Sequence, residues 1–300
     1  MFRNAILYRI GAGRPGSAEQ LAQLLERDKF RPCGPSQAKS SGWTPPRGHA
    51  HGALIESING QWIGRFVVET KNVPGVEVSR KAQESADQIE KTTGRKPGKK
   101  EARELRDDAL LALLPRAFPR QTAIWMWIDP KDGLLVLDAT NQRKADDAIS
   151  SLARVLGQGL QIGLVQTRHA PAACMAEWLS DGGDGQIEGI DIGRACELKA
   201  AGDAPARVRL DHHDLCTEEV RQHIRDGKWP TTLGIEWRGY VSLVLTHQLH
   251  LRRIRLMDGA FDAVGTSTDN DSFDVDVTAI AGTLRLLIDD LVGAMGGESA

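Results

Sequence analysis

The sequence predicts an α+β fold of mostly antiparallel sheets with flanking helices. Three observations carry that expectation. Asn59-Gly60 sits between the alternating runs "ALIESI" and "QWIGRFVVE", the strongest short-range signal for a two-residue hairpin. "TAIWMWIDPKDGLLVLDA" reads as a second hairpin. The helical stretches are scattered among these hairpins and do not follow every strand, which disfavours a doubly wound parallel sheet.

Taken in order, "FRNAILYRI" alternates as a strand. Ser17 then caps a helix running to about Asp28, with Gln20 at the third helical position of a capping box and Leu21, Leu24 and Leu25 on one face. Residues 31–48 hold four prolines and three glycines, so regular structure is not expected there. After the first hairpin, residues 76–114 turn helical, but Gly94, Pro97 and Gly98 break the pattern and leave a helical hairpin or kinked arm. Its second limb places Ala102, Leu105, Ala109 and Leu113 on one stripe and stops before Pro115. Residues 141–156 read as a helix with Ala145, Ala148, Ile149, Leu152, Val155 and Leu156 inward. Beyond it, "LQIGLVQT", "ARVRLDHH", "GIEWRGYVSLVLT" and "LHLRRIRLM" read as strands. "PAACMAEWLSD", "TEEVRQHIRDG" and "VTAIAGTLRLLIDDLVGAM" read as helices, and Thr217 before Glu218 and Glu219 suits a helix start.

Three hundred residues are enough chain to bury a core without staples. No apolar stretch approaches the roughly 20 residues of a membrane span, and the first residues lack the apolar core of a secretory signal. An intracellular protein is therefore expected. Cys33, Cys174, Cys196 and Cys216 form no C-x-x-C pair, which argues against a zinc ribbon or redox motif.

The formal charge of −2 hides an uneven distribution. Residues 91–106 carry seven cations, Lys91, Arg95, Lys96, Lys99, Lys100, Arg103 and Arg106, against Glu101 and Glu104. Residues 258–276 carry six aspartates and no base. Lysines and arginines around a helix break can neutralise phosphates without reading base sequence, so the basic arm is the leading functional feature, weighed against an ordinary solvated helix face. "HLRRIRL" adds Arg252, Arg253 and Arg255, of which Arg253 and Arg255 would share a strand face.

Other patterns lead less far. Gly11-x-Gly13-x-x-Gly16 has the spacing of a dinucleotide fingerprint, but the region about 20 positions on, "PCGPSQAKSSG", offers neither strand nor acid, and Pro15 has no N–H to point at a pyrophosphate. No cofactor is expected. Asp211-His212-His213 at a strand end resembles the Asp-His-His signature of metal-dependent phosphoesterases. The upstream Asp-x-Asp of that design is missing, with only Asp191 and the distant "DVDV" at 274–277 as substitutes, and successive histidines in a strand point to opposite faces. A phosphoesterase centred on Asp211 and His212 is the alternative function, and a module whose basic arm binds an acidic protein is a third. The seven tryptophans mostly fall in strand-like runs, where core packing is the default; Trp43, in the Pro/Gly-rich stretch, is the exception.

Several stretches together resemble the recombination-associated protein RdgC family of bacteria: "FRNAILYRI", "FRPCGPSQAKSSGWTPP" at 30–46, "LLPRAFPRQTAIWMWID" at 113–129, "AEWLSDG" at 176–182, "DLCTEEVRQHIRDGK" at 214–228 and the closing "LVGAMGG". They run nearly the full length in order, and "GWTPP" and "LLPRAF" are the most specific. The resemblance implies a non-enzymatic, cytoplasmic, nucleoid-associated protein that forms a ring-shaped homodimer, encircles double-stranded DNA through a positively lined hole, and restrains the recombinase RecA. It implies a protruding helical finger over residues 76–118 with Phe118 at a subunit contact. Under it the chain divides into an N-terminal α+β region (1–75), the finger (76–118), a hairpin and helix completing the central region (119–170), and a C-terminal α+β region (171–300). Arg95, Lys96, Lys99, Lys100 and Arg103 are the first candidates for DNA-backbone contact, followed by Arg116, Arg120, Arg207, Arg209, His212 and His213. Relatives often carry lysine where this chain has "DHH". Asp211 would weaken the positive lining there, while the histidines would restore charge in mildly acidic solution and make affinity pH-dependent.

Overall fold

The structure, a computed structural model, describes residues 1–49, 51–157, 159–181, 189–202, 206–257 and 272–299. Most of the acidic run at 258–276, residues 258–271, lies outside them. The described residues form seven α-helices and two sheets in which every strand pair is antiparallel.

The first sheet is built from β1 (Ile6–Ile10), β2 (Lys39–Thr44), β3 (Ile55–Ile58), β4 (Gln61–Lys71), β5 (Pro119–Asp129), β6 (Leu134–Leu137) and β7 (Ile162–Leu164). Its order is β2-β4-β5-β6-β1-β7, with β3 paired to β4. The β3–β4 turn is the expected one: Asn59 and Gly60 both take positive φ, 49° and 78°, as a primed two-residue turn requires. One face of the sheet is closed by α1 (Ala18–Leu25) and α4 (Gln142–Leu156), which bury Leu21, Leu25, Ala145, Ala148 and Leu152 against Phe66, Ile124 and Leu135. Ser17 caps α1 by accepting from the Gln20 N–H at 3.2 Å, while the Gln20 amide oxygen reaches Gly16 N instead of the cap residue's own N–H. Asn141 caps α4 in the same way through Lys144 N.

The second sheet, ordered β12-β11-β10-β8-β9, comprises β8 (Ile190–Ala200), β9 (Arg207–Asp211), β10 (Lys228–Trp237), β11 (Val241–Thr246) and β12 (Leu251–Leu256). Helices α5 (Pro171–Ser180), α6 (Glu218–Arg225) and α7 (Ser272–Ala294) share one apolar core with its inner face and with residues of the first sheet, including Ile63, Trp127 and Val136. Arg285 on α7 ties the layers together through the fully buried Asp129 carboxylate, 2.9 Å away. Such a buried charge is tolerable only because it is paired.

Between β4 and β5 the chain makes α2 (Gly75–Thr93) and α3 (Lys99–Leu113), which pack on each other. Gly94 ends α2 in the left-handed conformation at φ 73° and donates its N–H to Glu90 O, the role glycine fills without strain. Each helix buries one residue, Val78 and Ala109.

Four expectations fail. Residues 31–48 contain β2, because "KSSGWT" pairs along its whole length with Thr70 back to Arg65 on β4. Trp43 on that strand is fully buried, stands edge-on to Phe66 and donates from Nε1 to Ser151 at 2.8 Å, so it is core and unavailable for stacking on a base. "GIEWRGYVSLVLT" is two strands, since Arg238 and Gly239 take φ 48° and 69° and turn the chain as a hairpin. Ala102 is exposed, and the inward stripe of α3 runs through Leu105, Ala109 and Leu113. Strand β8 also arises from a stretch that no periodicity had marked.

Candidate nucleic-acid interface

Two cationic regions stand on different scaffolds. The first is the α2–α3 pair. Its break exposes Arg95, Lys96, Lys99, Lys100 and Arg103 to solvent or nearly so, with the Lys100 side chain 92% exposed. Three of these have acidic neighbours on α2 or α3: Arg95 with Glu101 at 2.9 Å, Lys96 with Glu90 at 4.0 Å and Lys100 with Glu104 at 3.9 Å. Exposed pairs of this kind contribute little and yield readily to a better anion. Among the described residues, Lys99, Arg103 and Arg106 make no ion pair. At the foot of the pair, Leu114 is buried while Arg116, Phe118 and Arg120 are exposed, Phe118 by 91%.

The second region is the outer face of the β8–β12 sheet, whose inner face is covered by α5, α6 and α7. On β9, Arg207 and Arg209 point outward with Asp211, and both are partnered: Arg207 lies 3.6 Å from Glu197 and Arg209 2.8 Å from Asp211. Asp211 therefore draws charge from its own strand as well as lacking a positive one. On β12 the register slips between Ser242 and Val244 of the partner strand, so Arg252 faces Val244 and Arg255 faces Ser242, with Arg253 and Ile254 bulging between. Arg253 takes φ 53° at that bulge. Ile254 turns inward, as Leu251 does at the start of the strand, and Arg252, Arg253 and Arg255 all border the outer face. A regular strand would have sent Arg252 and Arg253 to opposite sides; the bulge re-aims them.

These arginines edge a trough of about 340 Å³, bordered also by Arg194, His212, Asp211 and Glu236 and continuing past Arg209, Arg252 and Glu197 into a smaller hollow of about 170 Å³. Its floor is small. A Cβ at Gly193 would stand 3.0 Å from the backbone of Gly234, and Ala195 and Ser242 lie alongside. Absent side chains let a bulky ligand approach the sheet itself. Arg252 Nε is buried with no hydrogen-bond partner, and among the described residues Arg253 and Arg255 make no ion pair. Guanidinium groups that border one trough can hold several oxyanions at once.

The two histidines separate as chain geometry requires. His212 leaves the strand at φ 56°, borders the trough and gives its carbonyl to Arg194 Nη2 at 3.0 Å. His213 sits outside the trough lining with Nδ1 2.5 Å from Asp214 O. The phosphoesterase alternative is not supported. Asp191 pairs across to Glu236 and Asp211 to Ala195, Asp274 is engaged by Arg47, and no group of metal ligands forms among the described residues. The glycines of residues 11–16 have a packing role: Gly13, at φ 77°, lies so close to Gly159 that a Cβ would come within 2.4 Å of its carbonyl oxygen.

Sequence reasoning identified the cations around the break of the α2–α3 pair, residues 91–106, but not Arg80 and Lys81 of α2. It missed Arg194 and the recruitment of Arg252, for which the only signal is a lone isoleucine among the arginines of "RRIR".

The chain is an α+β protein with two exposed cationic regions, and no group of metal ligands gathers among its described residues. The chain belongs to the RdgC family: the family model, described as "Putative exonuclease, RdgC", matches residues 1–298. Curated relatives bear the name recombination-associated protein RdgC, which states no enzymatic activity. That of Janthinobacterium sp. (strain Marseille) is 35% identical over 299 residues, covering 99% of this chain and 98% of the relative. That of Herminiimonas arsenicoxydans is 36% identical over 301 residues, covering 100% and 99%. That of Dechloromonas aromatica (strain RCB) is 34% identical over 302 residues, covering 99% and 98%. No helix among the described residues is long and apolar enough to cross a membrane.

Proposed function

We propose that the protein binds double-stranded DNA without sequence preference, as a homodimer that encircles the duplex in a ring, and that it acts in recombination by occupying DNA that the recombinase RecA would use. It acts without catalysis, inside the cell on the nucleoid. The observation that carries this reading is the arginine-edged trough: Arg253 and Arg255 stand exposed, and among the described residues without an ion pair, at the edge of a sheet face, in a chain whose formal charge is −2. Local concentration of positive charge, not net charge, governs phosphate binding. The trough sets Arg194, Arg253 and Arg255 beside the carboxylates Asp211 and Glu236; its guanidinium groups suit backbone oxygens, and contact with phosphate positions a duplex without reading its bases. The α2–α3 pair supplies the second set of phosphate contacts, as a finger reaching around the duplex. Two copies facing one lumen convert weak contacts into slow escape.

Phe118 fits a subunit contact. It is an almost fully exposed aromatic at the junction between α3 and β5, which none of the described residues buries. Phe118→Ala is expected to weaken dimerisation in sedimentation velocity without lowering the melting temperature. Unchanged self-association removes that role. For the interface as a whole, log K for a random-sequence duplex should fall linearly with log salt, alike for unrelated sequences. A salt-insensitive affinity, or one that follows sequence, rules the reading out.

A further inference from the structure

Of the seven tryptophans, Trp229 alone is exposed, by 52%; Trp125 is half-buried and the other five are buried. Among the described residues no ring and no cation lies over its indole, and the indole N–H has no partner. A large aromatic surface is left in water, where burial is the usual outcome.

Strand register shows what surrounds it. Trp229, near the start of β10, stands opposite Lys199 of β8, and Lys199 stands opposite Arg207 of β9. Residues opposite each other on a ladder share a side of the sheet. The alternate positions turn the other way: Leu198 and Pro230 are buried and Val208 packs on the apolar core. Trp229, Lys199 and Arg207 therefore form one row on the outer face. The next row, beyond the irregularity between Pro230 and Thr232, is Thr232, Glu197 and Arg209, which borders the smaller hollow. The indole thus stands where the trough runs out toward the end of the sheet.

The row keeps a positive excess. Lys199 makes no ion pair among the described residues. Arg207 has Glu197 at 3.6 Å, and that carboxylate also accepts from Thr231 Oγ1 at 3.1 Å. Strands lie about 4.8 Å apart, so one cation sits one strand from the indole and the other two strands from it. A base stacked on Trp229 would carry its flanking phosphates toward both. Bases inside a duplex have both faces covered by their neighbours, so the matching ligand is a base in a single strand. Stacking beside backbone cations tolerates any sequence, because every base has a π-face. An apolar protein surface would have to strip water from Lys199 and Arg207 to reach the ring, whereas a strand of DNA neutralises them.

We propose that Trp229, with Lys199 and Arg207, is a subsite for an unpaired base of single-stranded DNA at the end of the arginine trough. The inference rests on the reading above for what the adjoining trough holds, and a short single strand probes the subsite with no duplex present.

The test follows tryptophan fluorescence at low salt while adding a short oligothymidylate or an abasic oligomer of the same length. Saturable quenching by the first and little by the second is the expected result. Trp229→Leu should abolish the quenching and weaken oligothymidylate binding in anisotropy by about tenfold, the loss of one stacked base. Trp229→Tyr, which keeps a ring, should retain most of that affinity. Unchanged strand affinity in Trp229→Leu overturns the proposal, as do equal losses in the leucine and tyrosine variants. Unchanged strand affinity together with weakened self-association in sedimentation assigns the indole to a contact between copies instead. Wild-type protein that binds duplex but not the oligothymidylate removes the subsite and leaves the proposed function standing; quenching without duplex affinity does the reverse.

Discussion

The α2–α3 pair and the β8–β12 sheet carry the same kind of charge on opposite kinds of support. The helices bury one residue each, and five cations of the pair and its break, Arg80, Lys81, Arg95, Lys96 and Lys100, lean on acids of the two helices. The sheet rests on a core shared by three helices, its β12 arginines are fixed by a bulged ladder, and Arg253 and Arg255 have no ion-pair partner among the described residues. A cation on a thinly packed helix can follow a moving phosphate, whereas one on a packed strand waits in place. Under the proposed function this contrast becomes a division of labour in which the sheet sets affinity and the helices adapt.

The largest effect that would sharpen this contrast is on stability. Ile254 is the inward anchor between the β12 arginines and is 7% exposed. Ile254→Ala is expected to lose about 2–5 kcal/mol in urea unfolding. Val78→Ala, in the thin core of the helical pair, should lose no more than about 1.5 kcal/mol, because two methyl groups leave a site that collapses easily. Equal losses would put both regions on the same footing.

Next is the affinity carried by the sheet. Arg253→Gly with Arg255→Ala removes two unpaired guanidiniums, and glycine suits the positive φ of position 253. Duplex affinity should drop about 100-fold, with the log K against log salt slope flattened by about 1.8, two phosphate contacts' worth. The same measurement on Lys99→Ala with Lys100→Ala should show a similar flattening but only about a tenfold loss, since exposed lysines on a pliant support hold each phosphate less firmly. If the lysine variant loses more affinity than the arginine variant, the division of labour is reversed. If it loses nothing, the helices do not touch DNA.

Much of this contrast was legible in the chain. Gly94, Pro97 and Gly98 dictate a break whatever surrounds them, and the charges beside it are local facts. The hairpin at Asn59-Gly60 follows from the backbone conformation those two residues favour. Features set by tertiary partners were hidden. Strand β2 forms from a polar, proline-flanked stretch only because β4 offers it an edge and α4 offers Ser151 to Trp43. Arg238-Gly239 makes a hairpin although arginine is an uncommon residue at positive φ; the side chain is held by Asp290 of α7 and stacks on Trp237, contacts no local pattern reveals. The slip in β12 is likewise a matter between two strands. Period-two reasoning placed Arg253 and Arg255 together and could not bring in Arg252.

Retention on closed against open DNA tests the central claim most directly. Dissociation rates from a nicked circular duplex and from a linear duplex of the same sequence, measured at one moderate salt concentration, should differ, with far longer residence on the circle because there is no end to slide from. Equal residence on both would show that the cationic surfaces grip the duplex from one side, without enclosing it.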